Sequence, residues 1–244
     1  MKQRAGFAVL VSMMILSALA CRVGGFTGVR GSGNVVEETR DVSDFTGVAL
    51  AGSGELTIEV GETESLRIEA EDNLMEYLKA EVHNGVLEIG VESNVNLNPR
   101  RPVRFYLTVR ELDRVVLSGS GDVRAPDLEA RRFSVTISGS GDVELERLDA
   151  DTLDVTISGS GSLDIADGQV AGQNVTISGS GTHTARDLES ERAKVIIVGS
   201  GAATIRTSDH LRAIITGSGD VKYLGNPAID SSVTGSGDVK RIGD

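Results

Sequence analysis

The triplet Gly-Ser-Gly recurs at Gly119, Gly139, Gly159, Gly179 and Gly199 in steps of twenty residues, then at Gly217 and Gly235 in steps of eighteen. Self-similarity at a short fixed period marks a solenoid, whose units are too small to bury an apolar face alone and must stack. Around each triplet the apolar residues alternate. Val115/Leu117, Val135/Ile137, Val155/Ile157, Val175/Ile177 and Val195/Ile197 precede it, and Val123, Val143 and Leu163 follow. Period two with β-branched residues predicts short half-buried strands; the three-and-four spacing of a helix is missing from these units. Repeated in register, each strand pairs with its equivalent one coil on. The expected fold is all-β, a parallel β-helix with coils of about 18–20 residues. The crossover rule makes it right-handed, and coils stack about 4.8 Å apart.

Both glycines of the triplet fall on the inward phase, where a side chain would block a tight corner. Ser120, Ser140, Ser160, Ser180 and Ser200 then form an outward ladder of hydroxyls. A phosphate-cradling loop would need a helix after the glycines and a Lys at fixed spacing, and this pattern has neither. The triplet also occurs at Gly31 and Gly52, with Val48, Leu50, Leu56 and Ile58 in the expected slots. The first coils are therefore expected to precede an excursion from about Ser65 to Arg110. Within it, Asp72 or Asn73 would cap a short helix carrying Leu74, Met75, Tyr77 and Leu78. Val82 to Leu87 reads as a hairpin turning on Asn84-Gly85, and Val103 to Val109 as a strand. Such an excursion is placed to cap or flank the stack, whose terminal strands would otherwise invite pairing.

At the N-terminus, Lys2 and Arg4 precede an uncharged run from Ala5 to Ala20, which predicts a signal peptide over residues 1–20. The only cysteine, Cys21, follows Ala18-Leu19-Ala20 as in a bacterial lipobox, although Leu is commoner than Ala at the position of Ala18. The alternative is ordinary cleavage at an Ala-x-Ala site beside an incidental Cys. Lipidation at Cys21 gives a lone exported thiol a role. Residues 21–30 then form a tether and residues 31–244 a single β-helix domain, with 31–110 carrying the excursion and 111–244 the regular coils. The expected location is the cell envelope, lipid-anchored in the outer membrane, since Arg22 stands where Asp would mark inner-membrane retention. The formal net charge of −12 becomes two units more negative once Lys2 and Arg4 are removed. Nucleic acid is excluded as a partner, and membrane attachment falls to the acyl chains.

Phe45-Thr46-Gly47-Val48, Gly52-Ser53-Gly54, Leu56-Thr57-Ile58 and Leu66-Arg67-Ile68 together resemble the head GIN domain family. Asp72-Asn73-Leu74, the Asn84-Gly85 hairpin ending Leu87-Glu88-Ile89, and the later Gly-Ser-Gly-Asp-Val units extend the resemblance over about residues 30 to 244. It implies the fold and the head of an auto-transporter adhesin. It implies no catalytic residues and no cofactor.

Candidate sites are few. Asp122, Asp142, Asp220 and Asp238 each follow a triplet, while Ser162, Thr182 and Ala202 interrupt the row. Neighbouring carboxylates would be relieved by a bridging Ca²⁺, but calcium needs six to eight oxygens, so solvation of an outer face is the simpler reading. His83, His183 and His210 form no ligand pair, and His183 occupies an inward slot. Outward positions held by Thr176 and Ser178 become Ile196 and Val198, and the next coil has Ile214. That small apolar stripe is a candidate surface for a protein partner or self-association, unless another part of the chain covers it.

Three functions follow for comparison. The first is a non-enzymatic envelope lipoprotein displaying a repetitive surface for adhesion to a protein or glycan, or for assembly. The second is a periplasm-facing scaffold binding through Ile196, Val198 and Ile214. The third is a polysaccharide-active β-helix enzyme, which the coils support poorly. They offer only Phe133 and Tyr223 as aromatics, and the loops are too short to wall a catalytic cleft.

Overall fold

The computed structural model describes residues 28–243; the expected signal peptide over 1–20 and Cys21 lie outside the described residues. The triplet residues Gly52, Gly119, Gly139, Gly159, Gly179, Gly199, Gly217 and Gly235 stand in one column, each parallel-paired with the next. The parallel β-solenoid read from the spacing is therefore the fold. The excursion does not interrupt the column: Gly47–Gly52 pairs directly with Arg114–Gly119, as though residues 61–113 were absent.

Alternation decides what each coil buries. Val115, Val135, Val155, Val175 and Val195 point inward at 0–2% exposure, as do Leu117, Ile137, Ile157, Ile177 and Ile197. Each buried aliphatic of this kind stabilises the fold by about 1.5–3 kcal/mol, and like stacks on like up the column. In the regular coils the chain runs as one bent strand from corner to corner, as in Asp122–Gly139, Asp142–Gly159 and Ser162–Gly179. The shortening from twenty to eighteen residues falls between Arg206 and His210. There the strand that Leu188–Gly199 begins with is replaced by a bend, held by Ser208 and Asp209 N–H bonds to the carbonyls of Ser190 and Glu191.

The excursion closes one end. Val86–Val91 and Arg104–Val109 add one more parallel layer beneath Gly47–Gly52 and Glu55–Val60. Leu78–His83 then pairs antiparallel with the former, Ser65–Glu71 antiparallel with the latter, and Val35–Arg40 antiparallel with Ser65–Glu71. Antiparallel strands end the parallel stack and cover its backbone groups. Arg104 ties layer to cap, bonding Glu55 at 3.0 Å and Glu69 at 3.4 Å, while Arg67 lies 3.9 Å over the Tyr106 ring. The hairpin turns at Asn84 (φ 51°) and Gly85 (φ 76°), both in the left-handed region that a type I′ turn requires.

Two expectations are corrected. The helix after Asp72 is a single 3₁₀ turn, Met75–Tyr77, with no side-chain cap. The Asp72 carboxylate is engaged elsewhere, by the Ser32 hydroxyl and the Asn34 amide, and the strand ending at Glu71 leaves too little chain before Leu78 for a helix. The triplet at Gly31 does not begin a coil either: it has no partner in the glycine column and instead wraps the side chain of Glu71.

Candidate functional site

The corner is built by glycine for two separate reasons. The first glycine of each regular triplet has φ between 124° and 131°, a region other residues avoid. At Gly139 a Cβ would also stand 2.2 Å from the carbonyl oxygen of Gly119. The coils approach so closely that Ser140 N–H reaches the Gly119 carbonyl at 2.9 Å, and its equivalents repeat the bond up the column. The intervening serines are exposed and form the expected outer ladder.

Of the aspartates after the triplets, Asp142 and Asp220 bond across coils. Asp122 stands beside Asp142, and Asp220 beside Asp238. Asp142 Oδ1 accepts from the Ser162 hydroxyl at 2.6 Å and from its N–H at 3.2 Å; Asp220 Oδ1 accepts from the Asp238 N–H at 3.1 Å. These carboxylates cross-link coils. Among the described residues no group of three or more His, Cys, Asp or Glu is arranged to hold a metal ion.

His183 is inside, fully buried between Leu163 and Ala203. Burial pushes its pKa down to about 4 against a weaker opposing pull from the Leu163 backbone, so the ring is neutral, and neither buried ring nitrogen makes a hydrogen bond of good geometry. Ala203, small and buried, follows it in the column. It opens onto no solvent, which denies it a role as an acid or base on an external substrate.

Ile196 and Ile214 lie on the outer face, each half-buried. Ile196 stacks on Ile214, with Thr176 before and Ser232 after, and Val198 beside them is 49% exposed. Lys194 and Arg212 stack next to it, so the apolar strip is bordered by positive charge.

Sequence periodicity did not reveal a long groove on another face. It begins at Thr46, Val60 and Leu112, in a cavity of about 960 Å³, and continues as a second of about 1100 Å³ as far as Gly225. The two share Glu111, Glu129, Ala130, Arg131 and Asp151. The groove follows a corner where one residue per coil (Arg131, Asp151) falls out of the cross-coil pairing, between Ala130↔Ala150 and Arg132↔Thr152. Small side chains floor it and stacked polar ones wall it. Glu129, Asp149, Gln169 and Glu189 form one wall in register. Arg147 is held there by Asp149 at 2.9 Å and Asp167 at 2.8 Å. Such a surface can hydrogen-bond an extended polar ligand; the broken alternation at residues 131 and 151 was its only sequence signal.

The chain enters the described structure at the capped end. Val29 and Arg30 pair with Leu97 and Asn98, after which Glu71, wholly buried, receives the N–H groups of Gly33 at 2.6 Å and Arg100 at 2.8 Å. Burial alone would raise the Glu71 pKa, but those donors, the Arg101 N–H and the Arg100 charge hold it below the ordinary carboxylate value. Ser32 N–H bonds the Asn73 side chain, whose amide in turn bonds the Arg30 carbonyl. The entering segment is thus clasped to the cap. Cys21, the expected lipidation site, precedes it by few residues and lies outside the described part.

Residues 44–227 match the family model described as "Putative auto-transporter adhesin, head GIN domain". No curated protein matches the sequence. Among solved structures, a "putative adhesin" from Bacteroides fragilis superposes with a TM-score of 0.80 at 21% identity, covering 88% of this chain and 100% of its own. A "putative lipid binding protein" from Parabacteroides distasonis gives 0.72 at 24%, covering 88% and 99%. A "putative adhesin" from Parabacteroides merdae gives 0.68 at 22%, with the same coverage. At these identities the likeness is one of fold.

Proposed function

We propose that this chain, which belongs to the family of auto-transporter adhesin head GIN domains, is a non-enzymatic cell-envelope lipoprotein that holds a rigid β-solenoid away from the membrane for adhesion. The observation that carries the reading is where the chain enters the stack. The segment after Cys21 is clasped by Glu71 at the capped end, so a lipid on Cys21 places the cap at the membrane and the repetitive coils beyond it. Six residues, 22–27, lie between Cys21 and the first described one. Fully extended, the seven Cα–Cα steps from Cys21 span at most about 25 Å, so the cap stays near the lipid surface. A solenoid stacked in register over this many coils is stiff, and its long polar groove and hydroxyl ladder face outward along its length. The groove suits a glycan or an extended protein segment, and its excess of carboxylates over guanidinium groups disfavours polyanions.

Protease shaving of intact cells tests the reading, with a Cys21→Ser strain as the anchoring control. Cleavage on intact cells, and release of the control protein into the medium, are expected. Cleavage only after the outer membrane is opened would remove the adhesin reading. The surviving alternative would be a periplasmic scaffold working through Ile196, Val198 and Ile214. Loss of a complex on combining Ile196→Asp with Ile214→Asp would support that alternative.

A further inference from the structure

The two ends of the stack are unlike. One is closed by antiparallel strands; the other finishes on Ala228–Gly235 and Asp238–Gly243, each of which pairs on one side only among the described residues. Core columns end there in the open. Ile229 and Val233 are 47% and 42% exposed, whereas Leu211 and Ile215, one coil below in the same columns, are 0% and 1%. Val239 continues the column of buried Val221 and is only half-covered. We infer that this open edge pairs with the same edge of a second copy, joining two solenoids end to end in a homophilic contact.

The sequence of the edge fits itself. A two-fold axis through the corner at Ser236 lays Ala228–Gly235 antiparallel against Asp238–Gly243 of the second copy, and the reverse. In that register Val233 meets Val239, both on the inward phase, so each interior is continued by the other. On the outward phase Asp238 meets Thr234 and Lys240 meets Ser232, with Asp230 diagonal to Lys240. No like charges stand directly opposite one another, and the one close charge pair is attractive. An isologous contact of this kind closes at two copies and cannot run on into a fibre. At the capped end Val35–Arg40 and Leu78–His83 also pair on one side only, but the core residues they cover, such as Leu66, Ile68, Leu87 and Ile89, are buried.

The axis also sets direction. Two solenoids joined this way point in opposite directions, with their entry segments at the far ends. Resting on the anchoring reading above, the contact would bridge two facing membranes and would not cluster molecules on one.

Sedimentation of the full chain carrying Cys21→Ser tests the pairing without any membrane. A concentration-dependent dimer is expected, with dissociation in the micromolar range. Val233→Lys should abolish it, and Lys240→Asp should weaken it at least tenfold; adding Asp230→Lys to Lys240→Asp should restore it. The edge coil packs on one side only, so circular dichroism of these variants should keep the parent signal. A strict monomer at about 100 µM, a concentration at which micromolar contacts are mostly formed, would overturn the inference. So would a dimer that survives Val233→Lys but is lost with Ile196→Asp/Ile214→Asp. Membrane bridging is read separately, from aggregation of vesicles that carry the chain by its N-terminus but not by its C-terminus. A dimer in solution combined with failure of Cys21 acylation in cells would sink the anchoring reading and leave the pairing intact.

Discussion

Single atoms decide much in this fold, because adjacent coils repeat each contact. Gly139 and Gly172 separate the roles of glycine. At Gly139 an added Cβ meets both a φ of 131° and a carbonyl at 2.2 Å; at Gly172 φ is not positive and the nearest atom is 3.9 Å away. Gly139→Ala should therefore cost about 3 kcal/mol or more in denaturant unfolding, whereas Gly172→Ala should be neutral or stabilise by about 0.4–1 kcal/mol. His183 gives a pH signature. Its folded pKa, about 4, lies below the ordinary 6.5, so the native state prefers the neutral ring. Above pH 6.5 the ring adds no pH dependence. As pH falls from 6.5 to 4 the unfolded chain takes up the proton first and stability is lost, levelling off below 4. His183→Leu should remove that loss. The variant should gain on the parent by about 3 kcal/mol across this window, in addition to relief of two poorly bonded nitrogens. A stability difference independent of pH would contradict the buried neutral ring. The inward slot of His183 was visible in the periodicity. That neither nitrogen makes a good hydrogen bond was not, since its surroundings come from other coils.

At the scale of elements, the clasp and the cap matter most. Glu71 gathers N–H groups from two separate segments, Gly33 on one side and Arg100 and Arg101 on the other. Glu71→Gln keeps the shape but turns an amide toward backbone donors. Hydrogen exchange in Val35–Arg40 should then accelerate at least tenfold, while exchange in Asp142–Gly159 stays unchanged. Because its pKa is held low, the clasp is complete above the ordinary carboxylate value and loosens as pH falls through the depressed one. Uniform acceleration through the coils would contradict a local clasp. These elements were partly legible. Asn84-Gly85 announces its hairpin because two left-handed residues in a row have few other uses. Gly31-Ser32-Gly33 misleads because the same triplet serves a corner elsewhere, and only the distant Glu71 gives it a different role. The helix read at Leu74 to Leu78 shrank to one turn because Asp72 was bound by Ser32 and Asn34, partners about forty residues away in sequence. The groove was hidden because it is a consequence of corner shape, and the apolar stripe was legible because it breaks the run of Thr136, Thr156 and Thr176 in its column.

Taken as a whole molecule, the chain is a column whose units contact only their neighbours. Removing residues 142–161 joins Gly141 to Ser162 without changing any register, since Asp122, Asp142 and Ser162 occupy one column. The shortened chain should fold, and small-angle scattering should find it about 4.8 Å shorter. Collapse of the entire fold on this deletion would contradict a nearest-neighbour stack. The central claim is the orientation of that column on the membrane. It is tested most directly by a fluorophore on Asn94→Cys, at the capped end, or on Ser236→Cys, at the open end. The lipidated chain, with Cys21 acylated, is reconstituted into vesicles containing a lipid-borne quencher. The account predicts strong quenching at position 94 and little at position 236; equal quenching, or the reverse order, would contradict it.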